Sequence, residues 1–380
     1  MNKNIKLAVA GAVLALSATA ANAGIIIPAG DWTLDIGGNV NTFYQHTKYS
    51  GAAVRPKGNT IQTGLLPSAI TIGGKTRQND LDVAFQFSLF TGVNSNGADQ
   101  LNPSGAASNG GLGYNSLNIR QAYLSLGDKS WGTITMGRNL GVFGSDAILS
   151  DMTLLGVGSG SNGPGNSSTL GRIGSGYLYA DWLAQITYAT PNFNGFEASA
   201  SLHENLGSVD RNELGYSGKA SYTIAANDVT GKVWVGGTTR KIQYSSAEYD
   251  AEAAEIGAKL GAAGAELVGY YYDGKNMDSG IGTAINTNAA SSFVGFDNKG
   301  GYVQATYALP IKTKIGASWG TSIIKTAGTD TEREAWILGA YHPLTKHLNL
   351  VAEYNHLTAT DSANAEGKLK TMSLGAILFF

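Results

Sequence analysis

The chain contains no cysteine, only 8 prolines among 380 residues, and few charged residues, 14% of the total. Without cysteine it can form neither a disulfide framework nor a thiolate metal site. Acidic and basic residues nearly balance, with a net charge of -2, and no RNP-like motif is present, so nucleic acid is not an expected partner. The chain is rich instead in glycine and tyrosine, with 52 Gly and 18 Tyr, a composition that suits many strands and turns.

Long apolar runs are also missing beyond the N-terminus, so transmembrane helices of about 18 or more apolar residues are not expected after residue 23. The N-terminus has two lysines, an apolar run over residues 7–16 and the small-x-small sequence Ala21-Asn22-Ala23. This pattern predicts a signal peptide over residues 1–23, because the apolar run is too short to anchor the chain across about 30 Å of hydrocarbon. The mature chain, residues 24–380, is then exported.

The rest of the chain alternates apolar and polar residues with a period of two. Trp32, Leu34 and Ile36 share one face of the first such segment. Sixteen segments of this kind follow one another, with connections that alternate short and long. Many apolar faces end in an aromatic residue, as membrane-interface girdles do, whereas the apolar face of a soluble sandwich would meet a second sheet.

These observations predict an all-β fold, a transmembrane antiparallel β-barrel of 16 strands with both termini on the short-turn rim. A barrel of about 16 to 18 strands encloses an aqueous channel, whereas about eight strands would be filled by side chains. One segment leaves an alternative open. Residues 252–260 are rich in Ala, Glu and Lys and could form a helix, although the neighbouring glycines and the hairpin context favour a strand.

One long segment, from about residue 140 to about residue 180, shows no sustained period of either kind. It carries Asp146 and Asp151 early, a glycine-rich tract in the middle and Arg172 late. A loop of this length inside a compact fold is usually functional or disordered. We predict that it folds into the lumen and narrows it.

Three stretches resemble a known family. The last strand carries Met372, Leu374, Ala376, Leu378 and Phe380 on one face, and so resembles the closing strand of Gram-negative outer-membrane proteins. Residues 120–127 (RQAYLSLG) and 131–139 (WGTITMGRN) are similar to strands four and five of general, non-specific porins. Residues 141–152 resemble the start of the porin constriction loop.

The resemblance implies a set of charged residues at a pore constriction. Arg120 and Arg138 correspond to wall arginines, Asp151 to the loop carboxylate and Arg172 to a late-loop arginine, with Asp146 a weaker match. Each arginine has an alternative role as an anchor for the loop. Arg138 shares its parity with Ile134 and Met136, and would face the lumen only if the strand bulges or ends there.

The sequence also departs from the family pattern. Leu155 stands where a second acidic residue is expected, and the strand near Ile70 lacks an arginine. The resemblance therefore implies a less charged constriction and weaker ion selectivity than in the best-known porins. Opposed charges across a narrow constriction would still favour polar solutes over apolar ones.

The function that the resemblance implies is passive diffusion of small hydrophilic solutes and ions through a water-filled channel in the outer membrane, without a cofactor. It further implies a homotrimer, contact with outer-membrane lipid and lipopolysaccharide, and delivery by the barrel-assembly machinery through Phe380. Small outward residues such as Ala198 and Ala200 suit contacts between subunits.

Three alternatives differ in what they need. An enzyme needs a nucleophile beside a base, and none of the five histidines lies in a recognised catalytic motif. A channel specific for sugars or small anions needs an aromatic ladder or a basic track, to which Trp234 and Trp336 could contribute. A structural or adhesive barrel would have a blocked lumen. Lys219, Lys232, Arg240 and Lys314 can be placed on lumen faces, where they are expected to be solvated wall charges.

Overall fold

A computed structural model of the chain describes residues 24–52, 58–93, 117–159, 168–204, 213–226, 228–244, 247–277, 297–326, 329–361 and 363–380. The predicted signal peptide over residues 1–23 lies outside these ranges, as does part of the glycine-rich tract of the long loop. No helix in the part of the chain that the structure describes is long and apolar enough to cross a bilayer.

The described residues form 18 strands and two short helices. The strands are β1 Ile25–Ala29, β2 Trp32–Gly51, β3 Gly58–Gln62, β4 Ser68–Gln78, β5 Leu81–Thr91, β6 Asn118–Asp128, β7 Gly132–Leu140, β8 Trp182–Ala189, β9 Phe196–Glu204, β10 Leu214–Ala226, β11 Val229–Tyr244, β12 Ala247–Ala262, β13 Ala265–Lys275, β14 Asp297–Ala308, β15 Lys314–Thr326, β16 Thr329–Pro343, β17 Leu348–Thr360 and β18 Glu366–Phe379. The helices, both between β7 and β8, are α1 Ser145–Ser150 and a 3-10 helix, Met152–Leu155.

Strands β2 and β4 to β18 form a closed antiparallel barrel of 16 strands, as the sequence predicted. Each strand pairs with the next, and β18 pairs with β2 from Gly367↔Gly51 to Phe379↔Asn39. The terminal Phe380 exchanges two backbone hydrogen bonds with Gly38, at 2.8 and 3.1 Å. Closure satisfies edge N–H and C=O groups that would otherwise be unpaired in lipid.

The two remaining strands were not predicted. β1 pairs with the first residues of β2, in line with β18 on the same edge. β3 pairs with the middle of β2, in line with β4 on the other edge. The first long strand, β2, runs without a break from Trp32 to Gly51. The helical alternative for residues 252–260 is wrong, because they lie within β12.

Tight turns fix the register at the rim that carries both chain ends. Asn79 and Asp80 link β4 to β5 with φ values of 48° and 63°, and Ala263 and Gly264 link β12 to β13 with φ values of 50° and 82°. Positive φ at both central residues matches the right-handed twist of the flanking strands in two-residue hairpins. On the other rim, β7 and β8 are separated by the long loop, residues 141–181.

The two faces of the wall differ as the alternation predicted. Large apolar side chains such as Val40, Ile256 and Leu374 are exposed on the outer face, where lipid would cover them. The inner face carries mostly amides and hydroxyls, together with buried tyrosines. The two tryptophans considered for the lumen separate: Trp234 is buried inside, whereas Trp336 is 53% exposed on the outer face.

Candidate pore constriction

The long loop folds into the barrel, as predicted, but it is not without regular structure. After β7 it forms α1 and the 3-10 helix, and most of its described residues are buried. Its apolar side chains, including Phe143, Ile148 and Tyr177, pack against Trp234, Tyr270 and Tyr302 of the inner wall. The loop therefore crosses from β7 to strands on the far side of the barrel and reduces the open cross-section.

Asp146 of α1 forms the main charged contact between the loop and the wall. Its two carboxylate oxygens lie 2.6 Å from Lys219 Nζ of β10 and 2.5 Å from Lys232 Nζ of β11. Burial by itself would raise the pKa of this carboxyl group, but the two ammonium groups outweigh that effect and lower the pKa below its usual value. One carboxylate thus forms ion pairs with two lysines.

The lowered pKa of Asp146 predicts that this carboxylate keeps its charge through the mildly acidic range. A carboxylate whose pKa is lowered by folding stabilises the folded loop above its unfolded-state pKa, about 3.9, and loses that contribution only as pH falls through the lower folded value. We expect the difference in reversal potential between the wild type and Asp146→Asn, measured in a salt gradient, to be the same at pH 7 and at about pH 4. A change centred near pH 6 would show that another group controls the constriction.

Asp151 lies at the junction of α1 and the 3-10 helix and accepts three hydrogen bonds from other residues of the loop. One oxygen accepts from the backbone N–H of Thr153 at 2.9 Å, and the other accepts from Tyr177 Oη at 2.7 Å and from the backbone N–H of Arg172 at 3.2 Å. The residue is only 4% exposed. Its carboxylate joins the early and late parts of the loop.

Arg172 is fully buried between the loop and the wall. Its Nε donates to Ser318 Oγ of β15 at 2.5 Å, and one terminal nitrogen donates to the carbonyl oxygens of Ser175 and Ala335 at 3.3 and 3.2 Å. Burial lowers the pKa of this guanidinium, against the opposing effect of Asp151. The structure therefore places Arg172 as an anchor of the loop, which was the alternative role considered for it.

Two buried glutamates, which no sequence motif marks, hold the start and the middle of the loop. Glu255 of β12 accepts from the backbone N–H of Gly144 at 3.0 Å and from Tyr270 Oη at 2.8 Å. Glu353 of β17 accepts from the backbone N–H groups of Val157 and Gly158 at 2.9 and 2.7 Å and from Tyr341 Oη at 2.7 Å. In the sequence the only signal was a glutamate at an inward position of each strand.

The contact between Glu353 and the loop backbone requires glycine at position 156. A Cβ atom at Gly156 would overlap the carboxylate of Glu353, so any larger residue would push the glutamate away from the loop. The close approach of the loop backbone to the wall explains the use of glycine at this point in the chain.

Arg120 reaches the inner side of the wall through a β-bulge. Gln121 pairs with Ser88 and Ile119 with Leu89, so Arg120 is an extra residue in β6. Its guanidinium lies 5.0 Å from the ring centre of Phe90, which packs on Trp182 inside the barrel. This placement agrees with a wall arginine, and its role at the constriction stays a prediction.

Arg138 has a different placement from the one expected of a wall arginine. β7 continues past it to Leu140, and the register keeps Arg138 on the face of Met136. Met136 pairs with Leu124 and Ile186, both of which are exposed on the outer face. No bulge or strand end turns Arg138 toward the lumen. Asn139, the next residue, is the inward one.

The inner wall of β4 to β9 carries a belt of uncharged polar side chains. A chain of hydrogen bonds of 2.7–3.0 Å, made by side chains except for one backbone acceptor, the Asn139 carbonyl oxygen, runs across neighbouring strands. Its members, in order around the barrel, are Thr71, Ser88, Gln121, Asn139, Gln185 and Ser201. Lys219 and Lys232 lie beyond this belt, on β10 and β11.

Comparison with known proteins agrees with this architecture. A sequence model described as Gram-negative porin matches residues 8–362. No curated protein sequence gives a significant match.

Solved structures of similar fold include an anion-selective porin from Comamonas acidovorans, with a TM-score of 0.65 and 16% identity over 92% of this chain and 100% of that one. OmpF of Salmonella typhi, in complex with daunomycin, has a TM-score of 0.62 and 17% identity over 94% and 100% of the two chains. In vitro folded OmpT of Vibrio cholerae, in its trimer form, has a TM-score of 0.59 and 14% identity over 92% and 99%.

The structural similarity at these identities supports the fold, and the sequence model covers most of the chain. Together with the closed barrel and the inward loop, they place the protein in the outer membrane as a channel for passive diffusion. The chain belongs to the Gram-negative porin family.

Proposed function

We propose that this porin passes small hydrophilic solutes with a preference for anions, set at the constriction by Lys219 and Lys232. The observation that carries the proposal is an asymmetry of exposure. The Lys232 side chain is 30% exposed, whereas Lys219 is 11% and Asp146 9% exposed, and Glu255 and Glu353 are buried. Among these charged groups, the Lys232 ammonium is therefore the most accessible to solutes in the lumen.

Electrostatics supports the direction of the preference. Two ammonium groups contact the carboxylate of Asp146, and Glu255, the other carboxylate near Lys219, is buried and accepts hydrogen bonds from Gly144 N–H and Tyr270 Oη. A unit charge at about 4 Å contributes ~1 kcal/mol even in water, which corresponds to roughly fivefold in relative permeability. The anion-selective porin of similar fold gives a precedent for such a barrel.

The first test is the single-channel conductance and reversal potential of the protein in a KCl gradient. We expect large, stable openings and a higher permeability for chloride than for potassium. Lys232→Gln should lower the permeability ratio by about two- to fivefold, because it removes the more exposed cation and leaves the Lys219–Asp146 pair intact. Lys325→Gln, on the outer face of β15, is the matched control and should leave the ratio unchanged.

Three outcomes would count against the proposal. A cation-selective wild type would reverse the assigned sign, and an unchanged ratio in Lys232→Gln would remove the lysines from the constriction. Saturable block of the current by a sugar would favour the substrate-specific alternative, for which the uncharged belt on β4 to β9 offers hydrogen-bonding groups. Failure of the folded protein to conduct would support a structural barrel instead.

We further propose that the functional unit is a homotrimer that contacts lipopolysaccharide and is assembled through Phe380. The trimer form of the similar OmpT structure supports the first point, and the small outer residues Ala198 and Ala200 offer a close-packing surface. Three-step openings in the conductance measurement would agree with a trimer.

We infer that the barrel is not an enzyme, because its family is one of channels. The strongest contrary feature is a 2.9 Å contact between His203 Nε2 and Ser217 Oγ. The other ring nitrogen of His203 contacts the backbone oxygen of Glu204 rather than a carboxylate. Covalent labelling of Ser217 by a serine-reactive organophosphate would contradict the inference.

A further inference from the structure

Three lysines lie on the inner wall between the constriction loop and the short-turn rim. Lys232 shares its face of β11 with the buried Trp234, and Lys259 lies directly opposite Lys232 on β12. Lys314 shares its face of β15 with Ser318, whose hydroxyl contacts the loop. Side chains on one face of a strand recur at every second residue, so all three lysines face the lumen. We call Lys232, Lys259 and Lys314 the lysine track.

The register fixes the depth of the lysine track. Lys232 and Lys259 lie three residues from the ends of β11 and β12 at the short-turn rim, and Lys314 is the first residue of β15. Two residues further along β15, Gly316 lies against the loop, because a Cβ atom there would be only 2.7 Å from Met152 Sδ. A solute that crosses the constriction from the long-loop side therefore meets the track next.

Two members of the track repel each other. Like charges directly opposite on neighbouring strands destabilise a sheet, and Lys232 and Lys259 form such a pair. Each has one carboxylate partner, Asp146 at 2.5 Å from Lys232 and Glu266 at 2.9 Å from Lys259. An ammonium group has three N–H donors, so both lysines keep donors for a further acceptor. Their side chains are 30% and 36% exposed, which leaves them open to solutes.

Lys314, which is half-buried, has no carboxylate partner of its own. In the part of the chain that the structure describes, its ammonium group forms no ion pair, and Nζ lies 5.4 Å from the centre of the Tyr341 ring. Its charged neighbours are Glu266, Lys259 and Asp151. Glu266 pairs with Lys259, and Asp151 accepts three hydrogen bonds inside the loop. An anion bound beside Lys314 would supply the ion-pair partner that these carboxylates do not.

We propose that the lysine track binds a dianionic phosphate group, carried by a solute in transit or free in solution. The inference rests on the anion preference proposed above and adds to it a site and a class of ligand. Lysine binds phosphate as a point charge, and a phosphate group supplies nearly two negative charges together with three strong acceptor oxygens. Chloride brings one charge and no such set of acceptors, so the opposed pair and Lys314 together favour phosphate.

The test measures block of the channel current by phosphate compounds in planar bilayers. The current is recorded in symmetrical KCl at about pH 8, where phosphate is dianionic, and glycerol 3-phosphate, inorganic phosphate or glycerol is added. We expect saturable block by both phosphate compounds and none by glycerol. Lys314→Gln should raise the half-blocking concentration about fivefold, because the loss of one unit charge beside the ligand corresponds to ~1 kcal/mol.

Lys312→Gln is the matched control, because it removes an exposed lysine from the turn directly before β15. It should be blocked at the same concentration as the wild type. An equal rise in this control would reduce the effect to net charge and overturn the site. An unchanged half-blocking concentration in Lys314→Gln would also overturn it. Retention of the heat-modifiable folded form on gels checks that both variants keep the barrel intact.

The outcomes separate the lysine track from the proposed anion preference, which the reversal potential in KCl alone measures. A chloride-selective wild type that neither phosphate compound blocks would overturn the track and leave the preference intact. A cation-selective wild type whose phosphate block is weakened in Lys314→Gln would keep the track and contradict the preference. Stronger block by glycerol 3-phosphate would assign the site to phosphate monoesters, and stronger block by inorganic phosphate would assign it to free phosphate.

Discussion

Replacing Glu353 with alanine should release the constriction loop from the far wall. The change removes the acceptor for the N–H groups of Val157 and Gly158 and for Tyr341 Oη, all at 2.7–2.9 Å. Each buried donor left without a partner costs about 1–3 kcal/mol. We expect noisy openings with rapid transitions in single-channel records, and loss of the folded form at a temperature several degrees below that of the wild type.

Because the chain has no cysteine, a single introduced cysteine can measure whether the loop is released. A single cysteine introduced by Ser159→Cys, at a buried loop position, should react slowly with a thiol reagent in the otherwise wild-type protein and much faster beside Glu353→Ala. Glu366→Ala is the matched control, because its carboxylate is exposed and contacts only Lys368 among the ion pairs described. Equal labelling rates in all three backgrounds would show that Glu353 does not hold the loop.

Replacing Asp151 should change the size of the pore rather than its charge. Asp151→Ala removes the acceptor that joins Tyr177 and the backbone of Arg172 to the early part of the loop, and Asp151→Asn replaces one of the two acceptor oxygens with an NH2 donor. The two unpaired buried donors cost about 1–3 kcal/mol each, enough to detach the late part of the loop. We expect a larger single-channel conductance and faster diffusion of large solutes, with little change of the reversal potential.

The comparison with Asp146→Asn separates packing from electrostatics. That variant removes the carboxylate shared by Lys219 and Lys232, so it should strengthen the anion preference at nearly unchanged conductance. Tyr177→Phe removes one of the three donors to Asp151 and should produce a smaller version of the Asp151→Ala effect. A shift of the ion selectivity toward anions in Asp151→Asn, without a change of conductance, would show that the Asp151 carboxylate is exposed to solutes in the lumen.

The contrast between Asp146 and Asp151 shows what the loop sequence could not convey. Both are aspartates in one segment without periodicity, and the family resemblance favoured Asp151 as the carboxylate of the constriction loop. The structure gives Asp151 three donors from its own loop and gives Asp146 two lysines from strands more than 70 residues away. Such distant partners are fixed only when the barrel closes.

The arginines make the same point about the wall. Alternation places a residue on one face or the other only while the register is regular. Arg120 does not follow the alternation, because a bulge inserts one extra residue in β6. No Gly or Pro marks this bulge in the sequence. Arg138 follows the regular register and stays on the face of Met136. A shift of one residue decides which arginine reaches the lumen.

The sequence by itself determined the barrel: its strand number, its closure, the polar and apolar faces of the wall and the inward loop. These follow from a period of two and from turns that act over a few residues, and both are local properties of the chain. Only the tertiary structure decided which carboxylates are covered, which lysines remain accessible and which glutamates hold the loop. Burial and pairing depend on groups brought together across the lumen, and local patterns carry no information about such distances.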